Sequence, residues 1–338
     1  MSINSIGDQA RAFALQAASG RIKNTLAVLS KELSTGESSD IPTRLRGNTQ
    51  QLSDITSRLA TLSQLKKNAT EIKTQADGMM TAMEAVRTST DELSVTLTTQ
   101  PLIASEDLIA LHASNAAGTF DSVVSRLNVS MGGRYFFSGL ESNRPPLASA
   151  GQMLDTLEQL TSGMTSAAQI ATAVSDWFDA PRGAGAFMDI GYSGSVGQAQ
   201  ALPIGEDIVV QLPLNAASPE LREHLKGLAI AALVYRGIPA DDLSQRRELL
   251  RRGGEAMAQN AHNLTAAIGQ LGFRQALIER AQTESNAGIA TLEIMRNDIT
   301  QADPYATSAA LSEAETHLQT LYAVTARLSK LRLVEFLR

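Results

Sequence analysis

The sequence contains no cysteine. Disulfide staples, thiolate metal centres and a cysteine nucleophile are excluded together. Basic charge is also short: 29 lysines and arginines face 35 aspartates and glutamates, a formal net charge of -6. A generic nucleic-acid binder needs a basic footprint to displace phosphate counterions, so that class is disfavoured. Arg246, Arg247, Arg251 and Arg252 form a local exception and, at helical spacing, are expected to spread over a solvated face. No stretch reaches the roughly 20 apolar residues that a membrane-spanning helix needs. The opening MSINSIGDQARAFALQ lacks a basic region followed by a long apolar core, so no Sec-type signal peptide is expected. That suits a cytoplasmic chain, and equally one exported by a route that cleaves nothing.

Catalytic and cofactor constellations are missing as well. His112, His224, His262 and His317 are far apart on expected helices, none with a histidine at i+4 to make a metal pair, and all four read as solvated or partly buried. Gly191, Gly194 and Gly197 have no following Lys-Ser/Thr and no strand–turn–helix frame, so they read as turn residues and not as a phosphate-cradling loop. Asp241-Asp242 and Glu206-Asp207 read as capping or solvated acids at turns. No nucleophile–base–orienter set is visible. No catalytic, cofactor or metal residue is expected, and the chain reads as a non-enzyme.

What the sequence does contain is helix. Prolines at 42 and 101 bound one proline-free run, prolines at 239 and 304 a second, and none follows Pro304. Proline breaks helices, so these runs permit long ones. From Leu52 apolar positions recur at Ile55, Leu59, Leu62, Leu65, Ala69, Ile72, Ala76, Met79, Met83, Val86, Leu93 and Leu97, interrupted only at Thr90. Steps of three and four alternate, with one extra three at Leu62–Leu65: a heptad stripe with a stammer, roughly 70 Å long at helical rise. A second stripe runs through Ile109, Ala113, Ala116, Phe120, Val123 and Leu127. A looser one lies between Leu250 and Ile299, with Gln275, Gln282 and Ser285 in seam positions.

Both ends carry shorter stripes. Leu15, Ile22, Leu26, Leu29 and Leu33 precede Ser34-Thr35-Gly36. Asp303-Pro304 reads as an N-cap with proline at N1, opening a helix with Leu311, Leu318, Leu321, Val324, Leu328 and Leu331 on one face. An apolar stripe must be buried, and pairing the first helix with the last is the economical solution. These residues are the candidate assembly contacts. The middle is broken by prolines and glycines, with a β-like run at Val209-Val210, a helix expected from Ser218-Pro219, and the single tryptophan, Trp177, expected in its core.

The expectation is a mainly α protein: a long antiparallel helical bundle or coiled coil formed by the N- and C-terminal segments, with a small α+β domain inserted between them. Residues 1–45 make an N-terminal helix expected to order on assembly. Residues 46–147 and 241–302 are the two parts of a long-helix rod domain, 148–240 the inserted outer domain, and 303–338 the C-terminal assembly helix.

One segment stands apart. Aromatics are 4% of the chain, yet Tyr135, Phe136 and Phe137 are consecutive in RYFFSGLESNRPPL. Gly133 and Arg134 precede them, and Ser138, Gly139, Pro145 and Pro146 forbid a helix from continuing. The expected role of these residues is a structural joint, with the rings pinning the end of the rod where the chain leaves for the middle domain.

That segment, SMGGRYFFSGLESNRPPL, together with LSTGESSDIPTRLRG and DPYATSAALSEAETHLQTLYAVTARLSKLRLVEFLR, resembles the bacterial flagellin superfamily, and within it the hook–filament junction proteins. The resemblance covers about residues 5–147 and 240–338. The Gly-Arg-aromatic-aromatic-Phe-Ser-Gly turn with a double proline falls on Gly133 to Pro146, Leu-Ser-Thr-Gly on Leu33–Gly36, and Asp-Pro-Tyr on Asp303–Tyr305. The single proline in ESSDIPTRLRG and the final Phe-Leu-Arg depart from the junction pattern, and the latter is closer to flagellin, the alternative reading. The resemblance implies unfolded type III export with an uncleaved N-terminal signal, an extracellular place in the flagellum and no cofactor. It implies as partners further copies in a helical lattice, the hook-side junction protein, flagellin and a cytoplasmic export chaperone.

Overall fold

The structure, a computed structural model, describes residues 3–100, 104–196, 200–240 and 242–336. Pro101, Gly197 and Asp241, which entered the sequence reading, and the side chain of Leu331 lie outside the described residues. Nine α-helices are described: α1 (Ile3–Thr35), α2 (Ile41–Arg44), α3 (Gln50–Thr99), α4 (Glu106–Leu127), α5 (Ala150–Thr161), α6 (Ala167–Asp179), α7 (Pro219–Ala232), α8 (Leu243–Thr300) and α9 (Pro304–Phe336). Two short antiparallel hairpins accompany them, β1 (Ser130–Met131) with β2 (Arg134–Tyr135) and β3 (Leu202–Pro203) with β4 (Val209–Val210). The chain divides into two compact units, one of Met1–Leu62 with Ala287–Arg338 and one of Ser63–Asn286.

In the first unit α1 packs along α9, the pairing that the two terminal stripes require. Two turns set up this pair and are tied to each other. Gly36, with φ 73°, ends α1, its amide returning to the Glu32 carbonyl at 2.8 Å. The Asp303 carboxylate opens α9, accepting the amides of Tyr305 at 2.9 Å and Ala306 at 3.2 Å, with Pro304 at N1. Between the turns, the Ser38 amide donates to the Thr300 carbonyl at 2.8 Å and the Ala302 amide to the Gly36 carbonyl at 2.9 Å. The first part of α3 approaches the last part of α8 closely: a Cβ at Gly288 would stand 2.9 Å from the Leu62 side chain.

In the second unit the α3 stripe from Leu65 to Leu97 is buried throughout, Thr90 included. Thr90 fits because its hydroxyl donates to the Val86 carbonyl of the preceding turn at 2.8 Å. The polar seam positions of α8 meet α3: Gln275 donates to Asp77 at 2.8 Å, Gln282 to Thr70 at 3.3 Å, and Lys73 pairs with Glu279 at 2.7 Å. Helix α4 is capped by Ser105, carries Glu106 and Asp107 in its first turn, and buries every residue of its stripe.

The middle of the chain holds α5, α6, α7, two short helical turns and the β3–β4 hairpin, joined by irregular segments. A Ser149–Gln152 capping box starts α5. On α6, Trp177 is buried edge-on against Phe178 at 4.9 Å and Phe187 at 5.8 Å. Helix α7 is almost wholly buried and crosses α8 at paired glycines, where a Cβ on Gly253 would stand 2.7 Å from the Gly227 carbonyl oxygen. Ser218 precedes α7 but its hydroxyl accepts the Asn215 amide at 2.9 Å instead of capping the helix.

Two expectations are corrected. The four arginines do not form a solvated face. Arg246 donates to the Pro239 carbonyl at 2.9 Å, Arg247 to the Ala104 carbonyl, and Arg251 and Arg252 share Glu248. Sequence spacing shows the arginines but not the carbonyls and carboxylates that fold onto them. Likewise, His262 and His317 are exposed as expected, but His112 and His224 are 4% and 1% exposed.

Candidate functional site

The aromatic turn begins where α4 ends. Asn128 holds Leu147 at two points, donating to its carbonyl at 3.0 Å and accepting its amide at 2.9 Å, which closes the whole turn as one loop. Inside it, β1 and β2 pair Ser130 with Tyr135 and Met131 with Arg134 around Gly132 and Gly133. Both glycines have positive φ, 59° and 78°, the left-handed conformation that a two-residue hairpin reversal demands. Arg134 forms an ion pair with Glu71 of α3.

Tyr135 is half-buried, while Phe136 and Phe137 are buried. The Phe136 ring lies against Gly78 of α3. The following backbone is bonded to the middle of the chain: the Phe137 carbonyl accepts the Ala216 amide at 2.9 Å, and the Ser138 carbonyl accepts the Ser195 amide at 3.0 Å. The buried Ser138 hydroxyl donates to the Arg144 carbonyl at 2.9 Å. Gly139 has φ 66°, and a Cβ there would be 2.6 Å from Ser195, whose hydroxyl accepts the Leu140 amide at 2.7 Å. Pro145 is exposed and Pro146 buried, the latter's carbonyl accepting the Ser193 amide at 2.8 Å. Tyr192 closes the arrangement, its hydroxyl donating to the Ser195 carbonyl at 2.8 Å, and burial pushes this phenol up to about 12.

The turn therefore links α3, the end of α4 and the segments around Ser195 and Ala216. Beside it lies a half-open cavity of about 290 Å³, with Ile72, Phe136 and Leu212 among its apolar lining and Arg134 and Glu71 at its polar side. These two charges pair with each other. Among the described residues no group of three or more His, Asp or Glu side chains is placed to hold a metal ion. No helix among them is long and apolar enough to cross a membrane.

The candidate assembly residues lie on the α1–α9 pair. Leu15, Ile22, Leu26 and Leu29 are half-buried and Leu33 is exposed; on α9, Leu311, Leu318 and Leu321 are half-buried, and Val324 and Leu328 exposed. Among the described residues of α1 none is fully buried, and of α9 only Thr307 and Ala314 are. Phe13 is 75% exposed and Tyr305 86%. Two helices side by side cover one flank of each stripe and leave the other open. Electrostatics adds little here: the Lys23 ammonium stands 6.0 Å from the Tyr322 ring centroid, at the outer limit of a cation–π contact.

Sequence reasoning singled out the aromatic turn but not its partners Gly78, Asn128, Tyr192 and Ser195. Of these, Gly78 carried a signal: a glycine inside a strong helical pattern marks a close approach.

Residues 255–337 match the family model of the bacterial flagellin C-terminal helical region. No curated protein matches the sequence at a significant level. Among solved structures, Bacillus cereus FlgL shows 16% identity and a TM-score of 0.49, covering 72% of this chain and 99% of that one. A Vibrio parahaemolyticus structure assigned as a flagellar hook-associated protein shows 12% identity and a TM-score of 0.40, covering 76% of this chain and 94% of that one. Both stay below the level at which a shared fold follows. The C-terminal part of the chain, from Glu255 through α9, is thus similar to the flagellin C-terminal helical region.

Proposed function

We propose that this chain is a structural subunit of the bacterial flagellum, of the hook-associated protein 3 kind, which joins the hook to the flagellin filament. The observation that carries the reading is the half-open α1–α9 pair, whose second member lies in the segment matching the flagellin C-terminal region. Exposed apolar stripes are a liability for a monomer and an asset for a polymer, because neighbouring copies bury them. On this reading the terminal helices gain their full order only when assembled, and Leu15 to Leu33 with Leu311 to Leu331 are the contacts. The aromatic turn is a mechanical joint without a catalytic role.

The chain would work outside the cell after type III export, held before export by a cytoplasmic chaperone, and would meet further copies, the hook-side junction protein and flagellin. A junction needs two different end faces, since it mates with two lattices. The second reading is flagellin itself, favoured by the C-terminal match and by the Phe-Leu-Arg ending. A strain lacking this chain tests the proposal. The expected outcome is normal hooks with flagellin shed into the medium as monomer; hooks bearing long attached filaments would overturn it.

A further inference from the structure

The two buried imidazoles, His112 and His224, belong to helices that pack on each other, α4 and α7. His112 lies on the buried face of α4, and neither of its ring nitrogens has a hydrogen-bond partner among the described residues. His224 is held on one side only. Its Nδ1 lies 3.0 Å from the Glu220 carbonyl and against the Asn260 side-chain amide, which itself donates to that carbonyl at 2.7 Å; its Nε2 has no partner among the described residues. An imidazolium carries two N–H donors, and neither pocket offers acceptors for both. A buried charge left in that condition is costly.

Among the described residues, carboxylates on and beside α7 are engaged by cations. On α7, Lys226 pairs with Glu223 and with Asp179, and Arg222 also pairs with Asp179. Arg236, in the short helical turn after α7 that packs on α4, pairs with Asp155 and Glu158 of α5. Asp91 of α3 and Glu223 act on His224 and favour its charged form, but Asp91 is exposed. On His112 burial acts alone.

We propose that His112 and His224 make the α4–α7 layer of the second unit acid-sensitive, holding it closed while both rings are neutral and loosening it when they take up protons. Burial, the leading cause in each case, holds both groups below the ordinary histidine value. The sign follows: the unfolded chain binds more protons, so stability is complete above about pH 6.5 and is lost as pH falls below it. The first unit has no counterpart, since its one histidine, His317, is exposed.

Urea unfolding of the full chain, followed by Trp177 fluorescence, tests this, because Trp177 sits on α6 against α7. Between pH 7.5 and 5.5 the folded-to-unfolded ratio is expected to fall by up to about tenfold for each imidazole. His112→Leu and His224→Gln should each remove their own share of that fall. A transition indifferent to pH over this range, or an unchanged pH dependence in the double variant, would overturn the proposal. If a variant does not fold, imidazole NMR of the wild-type protein decides. The His112 and His224 rings should take up protons at lower pH than free imidazole does; titration of both rings at the pH of free imidazole would overturn it.

Discussion

The ring of Phe136 rests on Gly78 so closely that a Cβ at Gly78 would stand 2.1 Å from its Cε2 atom. Each residue thus fixes what the other is allowed to be. Alanine at Gly78 would ordinarily favour the helix by about 1 kcal/mol. Here the ring must shift, and overpacking of that kind costs about 1–3 kcal/mol. Gly78→Ala is therefore expected to destabilise the wild-type chain, and Phe136→Ala to cost about 3–5 kcal/mol. In the Phe136→Ala background Gly78→Ala should become stabilising, and urea unfolding of the four proteins measures that change of sign. Additive effects would mean that the ring does not sit on α3.

Thr90 interrupts the apolar stripe of α3 at a position that is 0% exposed. Its hydroxyl is satisfied only locally, by the Val86 carbonyl and, more weakly, by the Arg87 carbonyl at 3.2 Å. Thr90→Val removes that hydroxyl while Val86 keeps its helical amide donor, and it adds a buried methyl group worth up to about 1 kcal/mol. The variant is expected to unfold at equal or higher urea concentration than the wild type. A clear loss of stability would reveal a tertiary partner for the hydroxyl.

These two positions show what was legible in the sequence. The α3 stripe could be read from Ile55 to Leu97, because a helix along a partner imposes its period on every turn. The polar break at Thr90 was visible as an interruption, and local back-bonding explains it. The caps at Asp303 and Gly36 were also legible, since capping chemistry is local. The aromatic turn was conspicuous by its aromatics, glycines and prolines. Its partners were not, because Ser195, Ala216 and Gly78 reach it across long stretches of chain, and no period or spacing records such pairing. The buried state of His112 and His224 was missed for the same reason, as were the acceptors that engage Arg246 and Arg247.

The open flank of the terminal pair gives a third expectation. A chain ending at Leu318 loses Leu321, Val324, Leu328 and Leu331 while keeping the whole of Ser63–Asn286, the second compact unit. Its purified monomer should show the same Trp177 emission as the full chain and the same urea transition by that probe. Its ability to form ordered polymers, or to restore filament attachment in the strain lacking the chain, should be lost. Retained assembly would show that the stripe of α9 is not the contact between copies.

Immunogold electron microscopy of intact flagella, with an antibody against residues 148–240, tests whether the chain sits between hook and filament. Label is expected only in a short zone at the distal end of the hook. Label distributed along the filament would contradict it and identify the chain as the filament subunit.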